Sequence, residues 1–284
     1  MIKSWFKRDG RELTVDELIV LERYEEAESR LRSLLRRGTE DAHTRAKLAE
    51  VLSALGRSSE AVAEYSYVAD LYRDDGFHDK AAAMLLRAIK LDPKSEELRR
   101  QLTRIEREKS SARNRQQALE ALRQASEAPD SAKMHFVELQ YLWARLSDTP
   151  FFSELPAEQI PFLLKNLRFL RLTPDEIVKE RGDESPALIM VAAGGVETRV
   201  LRGERKISVS SHGVGEIIGE SSLFEHKPWP ADTLTIEPAT ILELTRERLE
   251  GALAGNPNPR ALIVALRAQE NDLKIRTWIK ELGA

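Results

Sequence analysis

Residues of like size recur every 34 positions through the first third of the chain. Ala27 and Ala61 are 34 apart, as are Leu31 and Tyr65, and Leu34 and Val68. A further copy, GFHDKAAAMLLRAIKLDP, sets Gly76, Ala81, Ala88 and Pro93 in the same relative order. A period of this length belongs to stacked helix–turn–helix units. It predicts helices through residues 14–128, where apolar residues follow helical spacing and proline is nearly absent. Alanine and glycine at the crossings let neighbouring helices approach closely. Gly56 and Gly76 fall at helix ends, where a positive φ is cheap.

These residues resemble the tetratricopeptide repeat family over about residues 14–108. Leu48, Ala49, Gly56 and Ala61, then Gly76, Ala81, Ala88 and LDP at 91–93, stand where its consensus has them. The first repeat has Glu22 in place of the family's glycine. EAVAEYSYVADLYRD must close one repeat and open the next, because only 20 residues separate Gly56 from Gly76. The resemblance implies a surface for a protein partner. Residues 95–128 read as one or two exposed helices, with eight Lys/Arg against three acidic residues over 99–123. A solvated capping helix running into a linker is expected there, with a docking surface for an acidic partner as the alternative. RNA fits poorly, since no aromatics are interleaved for base stacking.

The grammar changes at LSDTPFFSELP. Beyond it come short β-branched runs, paired glycines and most of the prolines, which is the pattern of strands and turns. The expected organisation is α+β in two domains: helical repeats over 1–109, a basic linker with capping helices over 110–148, and an antiparallel β-roll or jelly roll with flanking helices over 149–284. A net charge of −3 excludes a protein that binds nucleic acid through overall charge. The chain has no cysteine, which excludes disulfides, thiolate metal sites and thiol nucleophiles. MIKSWFKRDG lacks the apolar core of a secretory leader, and no stretch is apolar enough for a membrane span, so a cytoplasmic protein is expected.

GVGEIIGESSLF, residues 213–224, starts like a dinucleotide fingerprint, but its third glycine would fall at Ile218. Strands of about five residues with turns every 8–12 imply a roll, with no βαβ unit around Gly219. This half resembles the cyclic nucleotide-binding domain family over residues 150–254. PFFSELP matches its entry helix, EIVKERGDES its second strand and turn, AAGGVET its small-Gly-x-Val turn, and GVGEIIGESSLF its phosphate-binding cassette. The resemblance implies that Gly219 allows close backbone approach to a cyclic phosphate, and that Ser221 and Ser222 supply helix N-terminal amides. It also implies that Glu220 accepts the ribose 2′-hydroxyl, or survives as a cap on neighbouring backbone.

The family's phosphate-pairing arginine falls at Pro230, followed by Ala231, and proline donates no hydrogen bond. Asp232 adds negative charge nearby. Losing such a pair costs about 2–5 kcal/mol, or roughly 10²–10³ in affinity. Lys227 is a poor substitute for a bidentate guanidinium. Asp175 replaces a favoured turn glycine, a conformation that Asp tolerates better than most residues. Trp229, between two prolines, is expected to plug the emptied pocket or to sit exposed as an interface anchor.

No catalytic set is present. The five histidines have no metal-ligand spacing, GESSL is not GxSxG, and GxxxxGK[ST] is absent. NPRALIVALRAQENDLKIRTWIKELGA holds one helix, too little for a reader of DNA. Its Leu262, Leu266, Leu273 and Ile279 suggest packing on the roll or on a second subunit as a homodimer. The expected function is a non-enzymatic cytosolic adaptor without a resident cofactor. Its repeats bind a protein partner, and its roll does not hold cAMP or cGMP tightly. The alternative is a second-messenger sensor whose nucleotide-bound roll regulates the repeats.

Overall fold

The computed structural model describes residues 12–36, 41–269 and 271–281; the N-terminal decapeptide discussed above lies outside them. The chain divides into two compact units, residues 1–113 and 114–284.

The first unit is a succession of helices: α1 (Val15–Val20), α2 (Tyr24–Arg36), α3 (Ala42–Ala54), α4 (Ser58–Asp74), α5 (His78–Leu91) and the start of α6 (Glu96–Glu127). Each of α2 to α5 packs on the helix before it. Thr14 opens α1 with a capping box: its hydroxyl accepts the Glu17 N–H, and the Glu17 carboxylate accepts the Thr14 N–H at 2.7 Å. Gly56 and Gly76 end α3 and α4 with φ of +74° and +77°. Glu22 ends α1 in the same left-handed region, φ +58°, so the missing glycine changes the residue but not the turn. Ala27, Ala49, Ala61, Ala81 and Ala88 are fully buried in one core with Leu31, Leu48, Leu52, Tyr65 and Val68. Arg32 and Arg57 both pair with Glu28 and Glu60, joining α2 to the start of α4.

The second unit holds two antiparallel four-stranded sheets. One has the order β1 (Arg168–Leu172), β8 (Ala239–Thr245), β3 (Ala187–Ala193), β6 (Ile217–Ile218). The other has β2 (Ile177–Lys179), β7 (Asp232–Thr235), β4 (Val196–Arg202), β5 (Arg205–His212). Strand β3, ALIMVAA, is buried on both faces. Leu188 and Met190 face a helical layer, while Ile189 and Val191 face the roll interior. Strand β4 alternates instead, with Val196, Thr198 and Val200 buried and Glu197 and Arg199 half-buried, as a strand with one solvated face should. Asp175 holds its turn at φ +63°.

Two sequence expectations change. Residues 118–146 are not a linker. Ala118, Leu122 and Ala125 of α6, with Leu139, Leu142, Trp143 and Leu146 of α7 (Phe136–Leu146), share the core that covers the outer face of the first sheet. They are joined there by Phe151 and Phe152 of α8 (Pro150–Glu154) and Leu163 and Leu164 of α9 (Ile160–Leu164). That sheet face is apolar and needs a cover, so the division between units falls near residue 113 rather than near 148. The arginines of α6 lie on its exposed positions, and Lys109 is half-buried. The C-terminal stretch also forms two helices after α10 (Glu220–Glu225) and α11 (Arg246–Leu253): α12 (Pro259–Arg267) and α13 (Asn271–Glu281). The break resets the apolar phase. Leu262, Leu266 and Ile279 are buried as expected, but Leu273 is 62% exposed and Ile275 takes its place.

Candidate functional site

Strand β6 pairs with β3 through Ile189↔Ile218 and Met190↔Ile217. The chain then turns at Gly219, φ +102°, into α10. A Cβ at 219 would lie 2.5 Å from the Ala187 carbonyl oxygen and 2.6 Å from the Trp229 ring. Glycine is required there by both conformation and space.

The amides at this turn have a partner that the sequence did not suggest. The Gly219 N–H donates to Asp272 Oδ1 at 3.0 Å, and the Ser221 N–H donates to Asp272 Oδ2 at 3.1 Å. In the other direction, the Asn271 N–H donates to Glu220 Oε1 at 3.1 Å, and Asn271 Nδ2 donates to the Ile217 carbonyl at 2.7 Å. The first turns of α10 and α13 each leave N–H groups without intrahelical partners, and each helix supplies the carboxylate that caps the other. Both acids are buried, Glu220 7% and Asp272 1% exposed. Glu220 Oε2 accepts no hydrogen bond. Burial, and then the Asp272 carboxylate, push the Glu220 carboxyl up to about 7. Nearby His212 is buried, with Nε2 2.8 Å from Ser210 Oγ, and burial pushes its imidazole down.

Trp229 closes the interior behind Gly219. It is 1% exposed, packs with Ile189, Val191, Ile218 and Ile241, and donates its indole N–H to Thr233 Oγ1 at 2.9 Å. Lys179 lies 5.9 Å from the indole centroid, but its ammonium pairs with buried Glu243 at 3.2 Å. Arg168 pairs with the same carboxylate at 2.5 Å. These three residues line a cleft of about 590 Å³ with Arg246 and Glu247.

Of the expected site residues, Gly219, Glu220 and Ser221 come together around Asp272. Ser222 is buried, and its hydroxyl donates to the Ser185 carbonyl at 3.3 Å. Pro230 and Ala231 follow Trp229 into buried positions and bring no charge. Asp232 accepts the Arg181 N–H at 2.9 Å, so its carboxylate is engaged with the 181–183 turn. Lys227 pairs with Glu225 at 2.6 Å at the surface. Asn271 and Asp272 were missed. An Asn-Asp pair opening an apolar-periodic stretch signals a helix start, but no spacing rule shows that it meets a turn some fifty residues earlier.

Residues 169–256 match the cyclic nucleotide-binding domain family. No curated protein matches the chain. Among solved structures, the N-terminal domain of a transcriptional regulator from Streptomyces coelicolor A3(2) is similar at 25% identity and a TM-score of 0.40, covering 44% of this chain and 90% of that one. The regulatory subunit of a cAMP-independent protein kinase A from Trypanosoma cruzi, bound to guanosine, is similar at 22% identity and a TM-score of 0.40, covering half of each chain. Thermus thermophilus catabolite activator protein is similar at 25% identity and a TM-score of 0.39, covering 48% of this chain and 62% of that one. The family match falls on the two-sheet roll: residues 169–256 form a cyclic nucleotide-binding domain, and the helices before it lie outside the match.

Proposed function

We propose that the chain is a non-enzymatic regulatory adaptor of the cytoplasm, in which tetratricopeptide-like helices take a protein partner and the roll is a degenerate cyclic nucleotide-binding domain. One observation carries the degenerate reading: the amides of Gly219 and Ser221 are already held by the Asp272 carboxylate. An external phosphate would have to displace that carboxylate and meet Glu220 beside it. Trp229 fills the space behind the turn, and Pro230 supplies no cation. On the helical unit, a cleft of about 420 Å³ lined by Glu50, Ser53, Tyr65, Arg87 and Lys90 supports the partner-binding role. Exposed Tyr67 and Leu86 lie on the same helices as Tyr65 and Arg87. No described helix is long and apolar enough to cross a membrane.

Calorimetry on the full chain tests the roll. Cyclic AMP and cyclic GMP should bind no tighter than roughly 100 µM, taking an intact site as near micromolar and the loss as about 3 kcal/mol. A second reading, a nucleotide sensor that regulates the helical unit, is favoured by the retention of Gly219 and Glu220 in their turn. Sub-micromolar binding abolished by Glu220→Ala would establish the sensor and remove the degenerate reading.

A further inference from the structure

Helix α13 has a small apolar hold on the roll. Ile275 and Ile279 are buried, whereas Leu273 and Trp278 are 62% and 56% exposed. The rest of its attachment is polar: Asn271 and Asp272 of its first turn meet residues 217–221, and Arg276 further along reaches the Pro228 carbonyl. Two helix N-termini converge there, and the positive end of each favours the carboxylate supplied by the other. No Lys or Arg pairs with either acid among the described residues. Among the described residues, His212 of β5 lies in the field of the Asp272 carboxylate, and Glu216 of the following turn and Lys274 of α13 act on that same imidazole. Glu225 is paired with Lys227, Arg267 stacks on Phe224, and Arg276 donates to the Pro228 carbonyl. Two buried carboxylates side by side without a cation do not both stay ionised at small cost. One proton on the pair removes the conflict and leaves the capping bonds in place.

Taking Gly219–Ser222 as the ligand cassette of the proposed function, we propose that Asp272 is its resident ligand and that α13 is an autoinhibitory latch, docked while the Glu220–Asp272 pair holds a proton and released when both are ionised. Release uncovers the Gly219 and Ser221 amides together with Ile275 and Ile279. The latch and the cassette therefore open in one step.

Hydrogen exchange on the full chain, corrected for the intrinsic rate, tests this at pH 5.5 and pH 8. Segments 217–223 and 271–281 should lose protection together at pH 8, by at least about tenfold, while β3 and β8 keep theirs. Glu220→Gln keeps an acceptor for the Asn271 N–H, and both segments should then be insensitive to pH. If Glu220→Gln does not fold, Asp272→Asn should shrink the pH response without abolishing it, because burial still holds the Glu220 carboxyl up, and an undiminished response overturns the latch. An unchanged wild-type chain between the two pH values, or one segment opening without the other, overturns the latch. So does a pH response that survives Glu220→Gln. Tight cyclic nucleotide binding in the calorimeter overturns the proposed function by itself, without touching this exchange result.

Discussion

Replacing Trp229 by alanine asks how much of the second unit depends on a filled roll interior. The indole is 1% exposed, sits against Gly219, and is surrounded by Ile189, Val191, Ile218 and Ile241. A side chain of this size buries about 150–250 Å², which at about 25 cal/mol per Å² is worth about 4–6 kcal/mol on leaving water. Alanine keeps part of that, and partial collapse of the site lowers the cost further, so the expected loss is about 3–5 kcal/mol. Trp229→Phe separates the two contributions. It keeps most of the ring and loses the bond to Thr233 Oγ1, for a cost of about 1–2 kcal/mol. Urea unfolding followed by fluorescence reads both, with Trp143 in the adjoining core as the reporter. A Trp229→Ala chain within about 1 kcal/mol of the wild type would refute the plug, and the roll would then hold its shape without a filled interior.

Gly219→Ala should destabilise the second unit by more than about 2 kcal/mol, because left-handed strain adds to a clash with the immobile Ala187 carbonyl; the same urea melts check it. Ala61→Leu should cost about 1–3 kcal/mol by forcing bulk into a fully buried crossing of the first unit, measured as a lower thermal midpoint of that unit. The Glu220 carboxyl, displaced from 4.5 to about 7, binds a proton in the folded state that it releases on unfolding. The wild type should therefore lose stability as pH rises from about 4.5 through 7, by at most about 3 kcal/mol. His212 acts in the opposite sense, since its lowered pKa adds stability as pH rises toward 6.5. Denaturation of Glu220→Gln beside the wild type isolates the carboxyl, and a difference that stays constant across pH 5 to 8 would contradict the assignment.

Much of the architecture was readable because it follows from local rules. The 34-residue spacing of Ala27 and Ala61 places both at buried helix crossings, and Gly56 and Gly76 end their helices at positive φ. ALIMVAA has no polar alternation because β3 is covered on both faces. What escaped was tertiary. The basic residues of α6 drew attention to its solvent side, while Ala118, Leu122 and Ala125 on the other side mark it as a cover for the sheet. Small residues on a charged helix give a weak apolar signal, so the boundary was expected some thirty residues late. At the site, the glycine turn and its acid were legible in GEIIGE. Asp272 was not, because its partners are backbone amides with no signature in the sequence.

Those amides explain why an acid stands there. Ile217 and Ile218 must pair with β3, and Leu223 must enter the core, so Gly219 has to turn left-handed whether or not a ligand binds. The turn leaves the N–H groups of Gly219 and Ser221 buried and pointing away from their own helix. An unpartnered buried donor costs about 1–3 kcal/mol, and Trp229 closes the interior from which water or a ligand could reach them. A carboxylate from α13 satisfies both donors at once and carries the negative charge that a helix N-terminus favours. Its penalty is a second buried acid beside Glu220, which one proton relieves. Pro230 brings no cation to either acid. On the proposed reading, Pro230, Trp229 and Asp272 are then parts of one solution: a turn whose backbone favours negative charge, which its own chain supplies.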